Sequence, residues 1–427
     1  MKAKQLTETI TEDGLPWVNF FNGRLLSGED LSSDQNSYRR GHRRLGQATG
    51  EGVAFGLEVT VPKGVDTRAA PSVEVGAGLA VNRQGQTLAL AQPAAVALTR
   101  PSNVAADARA GGGFDDCLPL QAGNYVADAG VYLLTIAPAR AGQGRAPVSG
   151  LDNLTARCNT RYNVEGVQFR LLQLDLGTGA LSDANHLRNL AAYRCFGIDS
   201  LTRPSFHSRL PEVPPEGARL LDALRPHLLT DCDVPLALLS WTTTGGINYV
   251  DMWAVRRRVC GPSAGAPWDS LIGDVRRAEA EAMFLQFQEH AEWLRTTEGS
   301  PRTLAATERF FYLPPAGVVP LASDNSPKGF DRERFFRGLT VRAPAFIEGA
   351  RVEQVLRHSL SYSPLNLGSG ELLWLYEVRE NAQDIDDRVA PAPQPYLLFT
   401  SGHMPFYGEA WFDVSRWDYS NYSSALD

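Results

Sequence analysis

The sequence predicts an α+β protein, mainly β: an N-terminal helix with a small antiparallel sheet, then mixed β-rich domains with a long buried helix. Three observations carry this. Apolar alternation of period two recurs in "VAFGLEVTV", "SVEVGAGLAV" and "GVYLLTIAPAR". Glycine (39) and proline (27) are both somewhat high, which favours turns and strands over a helical bundle. Two stretches, near residues 27–46 and 268–295, repeat their apolar positions at helical spacing. At 427 residues the chain exceeds what one core usually serves. Three regions are read, 1–125, 126–300 and 301–427.

The first helix opens at Ser27, an N-cap with Asp30 in capping-box position. Leu31, Tyr38 and Leu45 then recur every seven residues, with Gln35 and His42 between them. A helix that faces its own core carries a wider stripe, so this one is expected to touch a neighbouring polypeptide along a single seam. Glu29, Asp30 and Asp34 sit in its first half and Arg39, Arg40, Arg43 and Arg44 in its second, an order that suits the helix dipole. Gly46, Gly50 and Gly52 are expected to end it. Strands follow at 53–61 and 72–81, with Val73, Val75, Ala77, Leu79 and Val81 on one face, and then at "TLALA".

Residues 100–125 read as a glycine- and alanine-rich loop. In the middle region strands are expected at 130–140 and 167–176, a helix at about 184–196, and another from Glu216 with Leu220, Leu221, Leu224 and Leu228 on its apolar face. "VPLALLSWTTTGGINYV" reads as a hairpin around Gly245 and Gly246. The longest helix is expected from Trp268 to Arg295, with one stripe of Leu271, Val275, Ala278, Ala282 and Leu285, widened by Ile272, Met283, Phe287 and Leu294. In the last region Pro314, Pro315 and Gly317 are expected to form a turn presenting Phe310, Phe311 and Tyr312.

Composition and motifs narrow the function classes. A net charge of −7 argues against a general nucleic-acid binder, because that affinity comes mostly from neutralising phosphates. Nucleophile-elbow, P-loop, H-E-x-x-H and dinucleotide signatures are absent from the sequence. The seven histidines are dispersed, and the acidic run at 380–388 lacks the order of a calcium loop. Neither catalytic residues nor a cofactor or metal site are therefore expected. Cys117, Cys158, Cys195, Cys232 and Cys260 are far apart and form no C-x-x-C pair, a reading that favours a reducing compartment. No stretch approaches the ~20 apolar residues of a membrane span. Trp417, Tyr419 and Tyr422 read as a docking tail or core, with a sugar-stacking strip as the alternative.

One resemblance extends this reading. Phe20-Phe21-Asn22-Gly23-Arg24-Leu25-Leu26, then Glu29, Asp30 and Leu31, then Tyr38-Arg39-Arg40, and finally Gly52, Val53, Gly56, Leu57 and Val59 follow one pattern. It resembles proteins encoded with phage-tail-like contractile injection systems, and is similar to the start of the trimeric baseplate adaptor family of type VI secretion, TssK. The match ends near Leu90, under a fifth of the chain, and departs at Gly41 and Gly46, where relatives carry helix formers. The resemblance implies a structural, non-enzymatic component at or near a baseplate, cytoplasmic until assembled, with extracellular release as part of the particle allowed. Its partners would be other baseplate or tail proteins and copies of itself, a trimer first. Neither nucleic acid nor a membrane span is expected, though contact with a cell envelope is. The interface it implies comprises Phe20, Phe21, Arg24, Leu25, Leu26, Leu31, Tyr38, Arg39 and Leu45. A receptor- or carbohydrate-binding tip protein is the first alternative and a particle-borne cell-wall hydrolase the second.

Overall fold

The computed structural model describes residues 11, 14–68, 70–99, 126, 128–147, 158–177, 185–198, 219–225, 227–259, 274–297, 299–323, 327–379 and 395–402. Its fold is α+β and mainly β, with six α-helices and seventeen strands among the described residues. The expected loop at 100–125, the acidic run at 380–388 and the C-terminal aromatics lie outside them.

Helix α1 (Gly28–Thr49) starts where the capping box places it and runs past Gly46 to a cap at Gly50. It therefore continues beyond its arginines, and no basic residue occupies its last turn. Three chain segments follow, each broken into two strands. They are β1 (Gly52–Gly56) with β2 (Val59–Thr60), β3 (Ser72–Val75) with β4 (Gly78–Val81), and β5 (Thr87–Leu90) with β6 (Ala94–Ala97). The halves form two three-stranded sheets, ordered β1-β4-β5 and β2-β3-β6, so one three-stranded meander is folded across a corner.

The corner corrects the expected alternation. Leu57 turns it with φ 59 while its side chain is fully buried. Left-handed backbone at a leucine costs on the order of 1–3 kcal/mol, and burying that side chain contributes about as much. Across Gly76 and Ala77 the inward parity switches: Val73 and Val75 are buried, Ala77 is exposed, and Ala80 and Val81 are buried again.

The central sheet has the order β10-β9-β7-β8, from β7 (Gly130–Pro147), β8 (Cys158–Leu174), β9 (Val234–Thr242) and β10 (Gly246–Asp251). Both faces are covered. Tyr132, Leu134, Ile136, Leu236 and Leu239 pack on Val53, Leu57, Val73 and Val75 of the bent meander. Val131, Leu133, Leu172, Leu174 and Leu238 pack instead on α2 (Leu187–Phe196), α3 (Leu220–Ala223) and Met283 of α4 (Asp274–Thr297). The N-terminal strands thus share one core with the middle of the chain. The expected Gly245-Gly246 hairpin forms, with Gly246 at φ 73. The start of the helix expected from Glu216 lies outside the described residues; within them a single turn, Leu220–Ala223, buries Leu221, while Leu228 is exposed and its neighbour Leu229 is fully buried.

Strands β7 and β8 are longer than the alternation indicated. β9 pairs only with residues 130–136 of β7, whereas the β7–β8 register continues to Pro147↔Cys158. Beyond the sheet the two strands run on as a two-stranded ribbon, ~35 Å long at 3.3 Å per residue.

Helix α4 buries Ala280, Met283, Phe287, Ala291 and Leu294 together with Gln286 and His290, whereas Ala278 is exposed. Its core side is thus the set expected only to widen the stripe, because the helix serves two cores at once. Met283 faces the middle core, and Phe287, Ala291 and Leu294 face the C-terminal one. There the sheet order is β12 (Ala316–Pro320), β17 (Tyr396–Thr400), β16 (Leu372–Arg379), with β13 (Thr340–Val341) and β14 (Ala345–Glu348) running parallel to β16. A short pair, β11 (Tyr312–Leu313) with β15 (Leu365–Asn366), and α5 (Arg332–Phe335) flank it. The opposite face of the sheet, with Tyr376 and Leu398, packs on Val355 of α6 (Val352–Ser359). Phe310 and Tyr312 are buried here rather than presented: Phe310 meets Phe287 at 5.2 Å and His290 at 4.9 Å between ring centres. Only Phe311 is partly open. The Pro314-Pro315 turn aims this strand inward because β12 has to enter the sheet behind it.

Candidate interaction surface

Residues 14–27 lead into α1 without helix or strand, through a turn at Asn22 and Gly23, and are fixed to it by polar contacts. Ser27 Oγ accepts a hydrogen bond from the Asp30 amide at 3.1 Å, and Asp30 accepts from the Ser27 amide at 3.0 Å. Arg24 bonds Asp30 at 2.6 Å and the carbonyl of Asn19 at 2.7 Å. The Ser27 amide and hydroxyl, with Arg24 behind them, hold the Asp30 carboxyl below its ordinary range. Further along, Ser37 Oγ donates to the Pro16 carbonyl, and the Leu15 side chain lies against Gly41.

On its other flank α1 touches the Asn82–Gln86 turn and the base of the ribbon. Gly46 approaches Gly85 so closely that a Cβ on either would overlap the opposing backbone. Arg39 pairs with Glu165 of β8 at 3.6 Å, and Arg140 of β7 reaches the same carboxylate at 3.6 Å. Arg43 lies in this group too: partial burial, then the nearby Arg140 charge, lowers its pKa from the usual guanidinium value.

Among the described residues, these contacts of α1 with its own chain are made by small or polar residues of the helix. The apolar residues lie elsewhere. Leu31 is 51% exposed, Tyr38 67% and Leu45 65%, and the only buried residue of α1 is Ser37. In the lead-in Leu25 is 94% exposed, and Phe20, Phe21 and Leu26 are exposed as well. Of the nine expected interface residues, seven therefore form an open apolar surface. Arg24 and Arg39 are instead used inside the chain, one as a clip at the helix start and one as a tie to the ribbon. Trp17 and the ribbon residues Tyr162 and Val164 are also exposed and escaped the sequence reading. Alternation in "RYNVEG" was the available signal, masked by the glycines around it.

The remaining polar centres are interior. Arg188 of α2 bonds Asp251 at 3.3 Å and Glu289 of α4 at 2.8 Å, and Gln286 bonds Asp251 at 3.1 Å. Arg188, Asp251 and Gln286 are buried, so this network ties α2, β10 and α4 together. Asp233, also buried, accepts from Thr135, Arg170 and Thr230 and pins the turn before β9 onto β7 and β8. Cys195 is a buried free thiol, but Cys232 is disulfide-bonded. That bond runs against the reducing compartment that the cysteine spacing favoured. Among the described residues no group of three or more His, Cys, Asp or Glu is placed to hold a metal ion, and no helix is long and apolar enough to cross a membrane.

No protein-family model matches this chain, and no curated protein matches it.

Proposed function

We propose that this chain is a structural, non-enzymatic component of a contractile injection system or phage-tail-like particle, at or near its baseplate, and that it docks through α1 and the segment leading into it. One observation carries the reading: Leu31, Tyr38 and Leu45 stand open on a helix that, among the described residues, meets its own molecule through glycines, a serine and charged groups. Apolar surface left open along one seam, continuous in sequence with Phe20, Phe21, Leu25 and Leu26, marks a protein interaction site. The resemblance of residues 20–90 to baseplate adaptors supplies the kind of assembly. The partners are other tail proteins and further copies of this chain, three-fold in the resembling family.

The test is particle composition. Tail-like particles from cells making this chain are purified with the wild-type protein or with Leu31→Glu, Tyr38→Glu and Leu45→Glu combined. The wild-type chain is expected to co-purify in fixed stoichiometry, and the triple variant to be made, folded and missing. Particles that retain the triple variant at full occupancy contradict the docking role.

A further inference from the structure

The ribbon made by the outer parts of β7 and β8 is open along its β7 edge. β9 pairs with residues 130–136 of β7 only. From 137 to 147, no strand among the described residues lies on the side of β7 away from β8. Residues 141–145 and 160–166 are exposed. A two-stranded antiparallel pair is marginal alone in water and gains stability from a third strand or a covering layer. The two faces of the ribbon differ. Directly paired residues share a face, so Ala139 with Gly166, Ala141 with Val164 and Gln143 with Tyr162 make one, and Arg140 with Glu165 makes the other. Val164 and Tyr162 are exposed on the first. The second is basic: Arg39 of α1 and Arg140 both reach Glu165, and Arg43 is close enough to Arg140 for their charges to interact. Glu165 is the sole carboxylate of residues 137–147 and 158–168, against Arg140, Arg145 and Arg161 on the ribbon itself.

We propose that the β7 edge between 137 and 147 takes up an extended segment of another polypeptide as a third strand, one that alternates acidic with apolar residues. The open backbone edge offers N–H and C=O groups in strand register, and only another peptide backbone completes that pairing. Acidic side chains of the added strand lie beside Arg140, with Arg39 and Arg43 behind it. Its apolar side chains lie on the other face, beside Ala139 and Ala141 and towards Val164 and Tyr162. The ribbon of a second copy fits less well, because it brings its own Arg140 and Arg145 to a face already rich in arginine, and like charges repel. This surface is separate from the seam of α1 and stands or falls apart from it.

The experiment uses full-length protein and a fluorescein-labelled peptide of six Glu-Val repeats, with binding read by anisotropy. The peptide is expected to bind saturably, and at least tenfold more weakly when lysine replaces its glutamates. A strand turns its N–H groups alternately to its two sides. Of two peptides N-methylated at every glutamate or at every valine, one is therefore expected to bind within about threefold of the parent and the other at least tenfold more weakly. Arg140→Gln is expected to weaken binding about fivefold, with circular dichroism confirming the fold. Hydrogen exchange locates the added strand: protection is expected to rise at 137–147 and to change little at 158–168. A single-stranded DNA of twelve nucleotides is expected to bind at least tenfold more weakly than the peptide. Absence of saturable peptide binding overturns the proposal, as do equal affinities for the two methylated peptides or protection confined to 158–168. DNA that binds as tightly as the peptide overturns it too, by marking a site for anions in general. Self-association that protects 137–147 without peptide makes a second copy the occupant and overturns the choice made here.

Discussion

Gly46 of α1 and Gly85 of the following β-turn meet backbone to backbone: a Cβ on Gly46 would overlap the Gly85 carbonyl, and one on Gly85 would overlap the Arg43 carbonyl. The helix sits on the turn without an apolar side chain between them. Gly41 is different, since a Cβ there would meet only the Leu15 side chain at 3.7 Å. The two glycines that depart from the resembling pattern therefore have opposite roles. Gly46→Ala is expected to destabilise the fold by about 1–3 kcal/mol through overpacking. Gly41→Ala is expected to stabilise it by roughly 0.5–1 kcal/mol through helix propensity. Chemical denaturation of the two variants checks both signs.

The seam and the core respond differently to truncation. Leu31→Ser, Tyr38→Ser and Leu45→Ser remove exposed groups, and each is expected to change unfolding free energy by no more than about 0.5–1 kcal/mol. Phe287→Ala opens the aromatic cluster with Phe310 and Phe399 and is expected to cost about 3–5 kcal/mol. Urea titration of the four proteins separates a docking surface from a folding surface.

Asp251 is the shared acceptor of Arg188 and Gln286 and also takes the Ala254 amide at 3.2 Å. Asp251→Ala removes one of the two carboxylates that the buried Arg188 bonds, and a loss of about 3–5 kcal/mol is expected. Because α2, β10 and α4 meet here, loosening should spread beyond one element. Hydrogen exchange is expected to rise in all three helical and strand segments, not in β10 alone.

His290 is buried against Phe310, with Arg188 and Arg309 nearby. Burial, then those two charges, lowers its pKa well below the ordinary value of 6.5. The folded protein thus keeps it neutral, while the unfolded chain protonates it near 6.5. Its contribution is full above that pH and is lost as pH falls below it, with a limiting slope of ~1.4 kcal/mol per pH unit for one proton. His290→Met is expected to flatten the decline between pH 6.5 and 5. Urea midpoints across that range read the difference.

Cys195 is fully enclosed, and burial pushes its thiol up to about 12, with Arg257 opposing. Thiolate is the reactive form. Iodoacetamide at pH 8 is therefore expected to leave Cys195 unlabelled in folded protein and to label it in urea, as read by mass spectrometry.

What the sequence made legible followed from local physics. The capping box at Ser27 and Asp30, the thin seam of α1 and the glycine hairpin at Gly246 each declare themselves within a few residues. The corner at Leu57 did not, because left-handed backbone at a leucine has no local signal and is held by the core around it. The ribbon was missed for the opposite reason: Gly142, Gly144 and Gly166 weaken strand patterning where β7 and β8 leave the sheet. Partition of α4 between two cores was equally hidden, since periodicity gives a buried face and not what it is buried against. The clip role of Arg24 and the ribbon tie of Arg39 depend on partners at Asn19 and Glu165 that only the fold brings near.

The central claim is that the apolar seam of α1 is covered by a second polypeptide. Hydroxyl-radical footprinting of Tyr38 tests it most directly, comparing dilute isolated protein with the assembled particle. The account expects Tyr38 to be oxidised readily in the first and strongly protected in the second, with buried Tyr312 unreactive in both. Equal oxidation of Tyr38 in the two samples would contradict it.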